Sequence, residues 1–210
     1  MRILVASSNP GKQREYEAMA AGHDSAFALL PDFASLPAFD ESAPTFAENA
    51  AGKALRYSRF ASEPVIADDS GLVVPALGGA PGVNSARYAG PGACDADRVA
   101  KLLAELRSRY RQRPAGREQS RQDAADTDAR FVCVLALAQQ GRVLAVFSDF
   151  VEGVLLDAPR GAGGFGYDPI FLYPPLGKTF AELQREEKNR ISHRGKAFRK
   201  LLDYPVLCGL

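Results

Sequence analysis

The chain is poor in several residue types that would point to particular classes of protein. Its 210 residues include no tryptophan and only three cysteines, Cys94, Cys133 and Cys208. These cysteines are widely spaced and form no C-x-x-C pair, which argues against a disulfide framework and against a zinc site. We therefore expect a protein of a reducing compartment.

Long hydrophobic runs and an excess of one charge are also missing. No stretch approaches the roughly 18 apolar residues of a membrane-spanning helix, and the apolar part of MRILVASSNPGK is too short for a signal peptide. The 26 basic residues are balanced by 25 acidic residues. We expect a cytoplasmic protein whose partners include no membrane and no nucleic-acid polymer, so any anion site must be local.

What is present is a regular alternation of apolar runs and helical patterns, in a chain long enough for one domain with its own core. Strands are predicted at 3–6, 26–30, 65–67, 131–138 and 143–151, and helices at 12–21, 45–62, 95–110 and 193–202. The two long strands flank Gly141 and indicate a hairpin. We expect an α/β protein with a mixed sheet and a polar surface loop at about 111–129.

The stretch VIADDSGL, residues 65–72, places two carboxylates side by side where a strand is predicted to end. Asp, Ser and Gly are turn formers, so on this stretch alone a simple turn is the favoured interpretation. The alternative is a site that needs one or both carboxylates. Because neighbouring side chains of a strand point to opposite sides, Asp68 and Asp69 need not share a role.

The small-residue loop SSNPGKQ lies between the first strand and the first helix. It lacks the spacing of a P-loop. Backbone N–H groups and the dipole at such a helix start can still hold a phosphate, with Lys12 beside them. An ordinary strand-to-helix turn explains the loop equally well.

The segment GAGGFGYDPIF has the glycine spacing G-x-G-x-x-G, beginning at Gly161. A dinucleotide-binding fingerprint requires a helix to open at the third glycine, whereas here Tyr-Asp-Pro follows and Pro169 favours an extended chain. The sequence therefore argues against a Rossmann site. Phe165 and Tyr167 are interpreted instead as rings that could stack on a base.

Basic residues cluster in EEKNRISHRGKAFRK. For Arg199 and Lys200 a solvated helix face is sufficient explanation. Lys188, His193 and Arg194 precede or open the last predicted helix, where positive charge opposes the helix dipole. A bound polyphosphate or polar base would compensate that placement.

Five stretches taken together resemble the inosine/xanthosine triphosphate pyrophosphatases, which hydrolyse non-standard purine nucleoside triphosphates to monophosphate and pyrophosphate. They are SSNPGKQREY, TFAENAAGKA, IADDSGLVVPALGGAPGVNSARYAG, GGFGYDPIF and EEKNRISHRGKA, in the order of that family. The resemblance implies an elongated mixed α/β fold with two lobes and an active-site cleft between them. It also implies Mg²⁺ as cofactor, a purine nucleoside triphosphate as substrate, and a homodimer.

The resemblance further implies roles for individual residues. Asp69 is expected to be the proton acceptor and a metal ligand, and Ser70 is expected to contact substrate. The triphosphate is expected to lie near Lys53 and against the first loop, which consists of Ser7, Ser8, Asn9, Pro10, Gly11 and Lys12. Contacts to base and phosphates are expected from Phe165, Gly166, Tyr167, Asp168, Lys188, His193 and Arg194, with Arg194 or backbone N–H groups donating to O6 of the purine.

The chain departs from the family pattern at two places. The first loop often reads Thr-Gly-Asn, and the Ser-Ser-Asn found here keeps a hydroxyl group. A glutamate often follows Leu-Pro before the TFAENA helix, where this chain has Ala38. Glu41 is therefore our candidate for a second metal carboxylate, and Asp68 either completes the metal shell through water or caps local backbone.

Two other functions compete with this interpretation. A related family shares the fold and the first loop, so a pyrophosphatase for modified pyrimidine nucleotides is the alternative among enzymes. A nucleotide-binding sensor without turnover is the alternative from another class. Product release from ITP separates all three.

Overall fold

Seven strands form a mixed sheet in the computed structural model, which describes residues 2–21, 26–111 and 127–204. The strands are β1 (Arg2–Val5), β2 (Ala26–Leu29), β3 (Val65–Val73), β4 (Asp128–Gln139), β5 (Arg142–Leu155), β6 (Phe171–Tyr173) and β7 (Lys178–Thr179). Their order is β2-β1-β3-β4-β5-β6-β7. β1 is parallel to β2 and β3, whereas β6 is antiparallel to β5 and β7. The predicted mixed sheet is confirmed.

Five α-helices accompany the sheet in the described part of the chain. They are α1 (Pro10–Ala20), α2 (Phe46–Tyr57), α3 (Asp95–Arg111), α4 (Arg185–Ile191) and α5 (His193–Leu202). The four predicted helices are found, and α4 is additional. α1 begins two residues earlier than predicted because Asn9 caps it and Pro10 occupies its first turn. Residues 112–126 of the predicted polar loop lie outside the described residues.

No helix in the described ranges is both long enough and apolar enough to cross a bilayer.

The chain divides into two compact units. The first unit takes the described residues within Met1–Ser70, Val132–Phe150 and Arg185–Leu210. The second takes those within Gly71–Phe131 and Val151–Gln184. In the second unit, α3 buries Leu102 and Leu106, and the rings of Phe131, Phe171 and Phe180 lie 4.6–5.9 Å apart, centroid to centroid.

The first unit buries both faces of β3. Val65 and Ala67 belong to one apolar cluster with Ala50 and Ala54 of α2. Ile66, which points the opposite way, belongs to a second cluster with Tyr16 of α1 and Phe198 of α5. A strand covered on both sides reads as a continuous apolar run, and this explains the sequence Val-Ile-Ala before the two aspartates.

The expected end of the strand before Asp68 is wrong. Asp68 and Asp69 lie inside β3, where they are only 2% and 5% exposed. By the alternation of the strand, Asp68 follows the face of Ile66, towards α1 and α5, and Asp69 follows the face of Ala67, towards α2. The turn propensity of Asp-Asp-Ser-Gly is overridden because both carboxylates find partners on those helices.

The last two helices approach each other closely at Gly195. A Cβ atom at this position would overlap the carbonyl oxygen of Asn189, so only glycine allows the approach. Ser192 caps α5, since its hydroxyl accepts the N–H of Gly195 at 3.1 Å. These contacts set the start of α5 and thereby the position of Arg194.

Candidate active site

Asp68 is held by cations from two helices. Its Oδ2 lies 2.8 Å from Nζ of Lys12 and 3.4 Å from both Nε and Nη2 of Arg194. Burial alone would raise the pKa of Asp68, but Lys12 and Arg194 lower it well below its usual range. Asp68 is therefore an ionised structural partner of these cations. The alternative in which it caps local backbone is wrong, because its carboxylate accepts from side chains brought by α1 and α5.

Glu15 extends this network. Its Oε1 lies 2.7 Å from Nζ of Lys188, and its Oε2 pairs with Nη1 of Arg194. Arg194 also donates from Nη2 to the hydroxyl of Ser70 at 2.7 Å. Burial would raise the pKa of Glu15, and Arg194 and Lys188 more than offset that effect, so the pKa is lowered. Part of the compensation for positive charge at the start of α5 is thus supplied by the protein's own carboxylates.

His193 opens α5 and is 5% exposed. Burial, together with the nearby charges of Arg194 and Lys188, lowers the pKa of His193 well below its ordinary value. The ring is therefore neutral at physiological pH. Of the three basic residues predicted to converge at the start of the last helix, only Lys188 and Arg194 therefore carry a positive charge.

Asp69 faces the other side of β3, where α2 supplies its partner. Its Oδ2 accepts from Nδ2 of Asn49 at 2.9 Å, and its Oδ1 accepts the N–H of Ser70 at 2.9 Å. Burial raises the pKa of Asp69 above its ordinary value, although the hydrogen bond from Asn49 acts in the opposite direction. A carboxylate in this state is a stronger base than one in water.

Lys53 lies on the same face of α2 as Asn49, because four residues separate the two. Its Nζ donates to the backbone oxygen of Asp68 at 3.0 Å and pairs with Glu41. Burial would lower the pKa of Lys53, but Asp68 and Glu41 raise it, so the amine stays charged. The structure thus brings Lys53, Glu41 and Asp69 together in the first unit.

The first loop satisfies several of its own polar groups. The N–H of Asn9 donates to the hydroxyl of Ser7 at 3.3 Å, and the N–H of Lys12 donates to Oδ1 of Asn9 at 3.1 Å. Gln13 donates to the backbone oxygen of Ser7 at 2.6 Å. Ser8 and Pro10 are exposed, and Gly11 is buried. The loop therefore presents an ordered helix start, with two of its amides already engaged.

The segment Phe165–Asp168 belongs to the second unit, where it is held by internal contacts. Asp168 accepts the N–H of Phe165 at 2.8 Å, and the N–H of Gly166 donates to Asp95 at 2.7 Å. Tyr167 is 3% exposed, and its hydroxyl donates to the backbone oxygen of Ser85 at 3.0 Å. The prediction that the Tyr167 ring is available for stacking is therefore wrong for this structure, because the ring fills the interior of its unit. Phe165 is only partly buried.

Within the described ranges no three His, Cys, Asp or Glu side chains are placed to share a metal ion. Mg²⁺ does not need such a cage, since proteins often bind it through one or two carboxylates while substrate phosphates and water supply the other oxygens. Asp69 and Glu41 fit that role. Asp68 fits it less well because two cations, Lys12 and Arg194, already share its Oδ2, whereas Glu41 is paired with one lysine and Asp69 accepts from neutral groups.

A model of the Ham1 family matches residues 3–204. The chain belongs to the Ham1 family. A relative from Geobacillus kaustophilus named dITP/XTP pyrophosphatase is 51% identical over 95% of this chain and 91% of the relative. A relative of the same name from Gloeobacter violaceus is 50% identical over 96% of this chain and 93% of the relative. A HAM1 protein from Coxiella burnetii has a similar structure, with 38% identity and a TM-score of 0.82 over the full length of both chains. The resemblance inferred from the motifs is confirmed.

Two residues that contact the candidate site, Glu15 and Asn49, were not predicted from the sequence. Glu15 lies three residues after Lys12, and Asn49 lies four residues before Lys53, so each shares a helix face with a lysine that was identified. A polar side chain on the buried face of a helix was the available signal, since Asn is a poor helix former and a buried Glu requires a partner. The partners themselves are distant in sequence, 179 residues from Glu15 in the case of Arg194.

Glu15→Gln is expected to destabilise the protein by about 3 to 5 kcal/mol at neutral pH, because it leaves Arg194 and Lys188 without their buried carboxylate. The pKa of Glu15 is lower in the folded chain than its ordinary value of 4.5. Its stabilisation is therefore complete above the unfolded-state pKa and is lost as the pH falls towards the folded-state pKa. Urea unfolding between pH 7 and pH 3 measures this.

The control for that series is Glu17→Gln, which neutralises an exposed carboxylate on the same helix. We expect it to leave the free energy of unfolding nearly unchanged. A difference between wild type and Glu15→Gln that is small at pH 7, or that does not shrink on acidification, would contradict the buried pairing.

Proposed function

We propose that this chain hydrolyses non-standard purine nucleoside triphosphates, namely ITP, dITP and XTP, to the nucleoside monophosphate and pyrophosphate. The observation that carries the proposal is the geometry at Asp69, a buried carboxylate that accepts a hydrogen bond on each of its oxygens. Two lysines, Lys12 and Lys53, are anchored to its neighbour Asp68. Near full-length relatives named dITP/XTP pyrophosphatase support the same substrate class.

In the proposed reaction, Asp69 accepts a proton from a water molecule as that water attacks the α-phosphorus. The new bond joins the water oxygen to the α-phosphorus. The bond that breaks joins the α-phosphorus to the oxygen that bridges it to the β-phosphorus. Pyrophosphate leaves, and Lys12 and Lys53 neutralise its charge. Asp69 then returns its proton to solvent. The chain forms no covalent intermediate in this scheme.

We propose Mg²⁺ as the cofactor, held by Asp69 and by Glu41. When bound, it would supply positive charge against the phosphate oxygens. Glu41 is paired with Lys53 in this structure, so a metal at Glu41 would compete with the lysine for the carboxylate. That exchange would direct Lys53 towards the phosphates.

We propose that discrimination between purines depends on hydrogen-bond donors to O6. An amino purine would leave such donors unpaired, a difference that reaches about 10⁴-fold in sites built this way. Arg194 stays a predicted donor. Its guanidinium donates here to Glu15, Asp68 and Ser70, so a role towards the base would add to a role in positioning these side chains.

We further propose that the protein acts in the cytoplasm. The two cysteines in the described ranges, Cys94 and Cys133, are free thiols, which is compatible with a reducing compartment.

Steady-state assays with ITP, dITP, XTP, ATP and dUTP test the proposal, with released pyrophosphate converted to phosphate and measured. We expect kcat/KM to be highest for the 6-keto purines. Asp69→Asn should lower kcat by about 10² to 10⁴-fold, because it removes the general base while keeping the size of the side chain. Asp157→Asn, at an exposed position, is the matched control and should retain wild-type activity.

Three results of these assays would contradict parts of the proposal. A preference for dUTP would identify a pyrimidine pyrophosphatase. Tight binding of ITP without product would identify a sensor. A wild-type kcat in Asp69→Asn would show that Asp69 is not the general base.

We also propose that the chain forms a homodimer through β5. Leu144, Val146 and Phe150 share one face of this strand and are 39%, 49% and 47% exposed. An exposed apolar stripe on a strand is a surface that a second chain can cover. By light scattering we expect a dimer that Val146→Glu converts to monomer, while Glu17→Lys on α1 does not. A wild-type monomer at micromolar concentration would contradict this interface.

A further inference from the structure

Asn49 joins two parts of the candidate active site that are separate in sequence. The residue lies near the start of α2 and is fully buried. Its Oδ1 accepts the N–H of Ala43 at 3.0 Å, and its Nδ2 donates to the backbone oxygen of Ala43 at 3.2 Å. The same Nδ2 donates to Oδ2 of Asp69 at 2.9 Å. One amide thus contacts both the segment that carries Glu41 and the carboxylate of Asp69.

The partners decide which way the amide of Asn49 faces. The N–H of Ala43 is a donor, so the side-chain oxygen must lie against it, and the NH₂ group must face the carboxylate. The opposite orientation would place an amide oxygen against a carboxylate oxygen and an NH₂ group against an N–H. Aspartate, which has nearly the same shape, cannot replace this donor.

We propose that Asn49 is a positioning residue that fixes the carboxylate of Asp69 and the segment carrying Glu41 in one arrangement. The inference rests on the proposed function, since it assigns Asn49 a task in the same reaction. Asn49 does not contact the reacting atoms in this scheme. It acts by limiting the orientations of the group that does.

Asn49 helps to fix the plane of the Asp69 carboxylate. The terminal torsion of an aspartate is broad, so an unrestrained carboxylate samples many orientations. Here each oxygen accepts one hydrogen bond, from Asn49 on Oδ2 and from the N–H of Ser70 on Oδ1. Two bonds to different oxygens fix the plane and leave further lone pairs for water or a cation. Loss of Asn49 would leave only the local bond to Ser70.

The segment before α2 is attached to that helix at both of its ends. At one end, the hydroxyl of Tyr57 accepts the N–H of Phe39 at 3.1 Å and donates to the oxygen of Pro37 at 3.4 Å. The ring of Phe39 lies against Gly52, where a Cβ atom would come within 2.6 Å of it. At the other end, Asn49 holds Ala43. Glu41 lies between these two attachments.

These two attachments allow the roles of Asn49 to be separated by mutation. Asn49→Ala removes the contacts to both Asp69 and Ala43. Asn49→Asp keeps an acceptor for the N–H of Ala43 but places an oxygen opposite Oδ2 of Asp69. Tyr57→Phe loosens the segment at its other end and leaves the contact between Asn49 and Asp69 intact.

The experiment measures kcat and KM for ITP and the Mg²⁺ concentration for half-maximal rate in wild type and the three variants. Thermal unfolding is followed in parallel. We expect both Asn49 variants to lose about 10- to 100-fold in kcat or in Mg²⁺ affinity, the usual effect of removing a hydrogen-bond partner of a metal-binding carboxylate. Tyr57→Phe should lower Tm while keeping kcat close to wild type at saturating Mg²⁺.

A binding measurement provides a readout that does not depend on turnover. Calorimetry with α,β-methylene ITP in the presence of Mg²⁺ should show weaker binding for Asn49→Ala and Asn49→Asp than for Tyr57→Phe. This comparison is made at a temperature at which all four proteins are folded. Asn49→Asp keeps the test valid if Asn49→Ala does not fold.

The possible results distinguish this inference from the proposed function. Absence of turnover by the wild type would overturn both. Turnover by the wild type together with unchanged kcat and Mg²⁺ dependence in Asn49→Asp would overturn the role of Asn49 alone. Equal losses in Tyr57→Phe and Asn49→Ala, in proportion to their loss of Tm, would show that Asn49 serves only the stability of the fold.

Discussion

Two adjacent carboxylates are buried in the middle of a strand, and the rest of the first unit is arranged around this constraint. A buried ionised group needs a partner, or its pKa shifts until it is neutral. The strand sends Asp68 and Asp69 to opposite faces, so the two charges need not be compensated by the same groups. Lys12 and Arg194 serve Asp68, whereas Asn49 serves Asp69 with a neutral amide. Asp68 is therefore held in its ionised form, whereas Asp69 can accept a proton.

The helices of the first unit can be understood from the side chains that they deliver to these carboxylates. α1 brings Lys12 and Glu15, and α5 brings Arg194, whose guanidinium connects Glu15 with Asp68. α2 brings Asn49 and Lys53 on one face. Cations buried at this depth would be unfavourable without Glu15 and Asp68. The apolar clusters on both faces of β3 exclude water from the network and strengthen its electrostatic interactions.

The sequence predicted those parts of the fold that have strong local signals. α5 has a clear helical pattern and was found where it was expected. α2 begins directly after its capping residue Thr45, as expected, but it ends at Tyr57 instead of continuing to residue 62, because a short 3-10 turn, Ser58–Phe60, follows it. α4 and the short strands β6 and β7 were not predicted, because elements of two to seven residues depend on neighbours more than on local propensity. The continuation of β3 through Asp68 and Asp69 was missed because the partners that override the turn propensity of these residues are distant in sequence. Arg194, one partner of Asp68, is 126 residues away in the chain.

Residues of the candidate site could be predicted where a family motif assigns them a role, as for Asp69 and Lys53. Residues that only position other side chains were harder to predict. Glu15 and Asn49 stand inside motifs that were recognised, yet their roles depend on contacts across the unit. Tyr167 shows the opposite error. Its aromatic ring suggested stacking on a base, whereas the structure uses it to fill the interior of the second unit and to bind Ser85.

In the proposed reaction, water activated by Asp69 attacks the α-phosphorus. Hydrolysis of ITP in water enriched in oxygen-18, followed by mass spectrometry of the products, tests this directly. We expect one oxygen-18 atom in the inosine monophosphate and none in the pyrophosphate when the products are analysed without further hydrolysis. Label in the pyrophosphate, or release of labelled phosphate with inosine diphosphate as the other product, would contradict it.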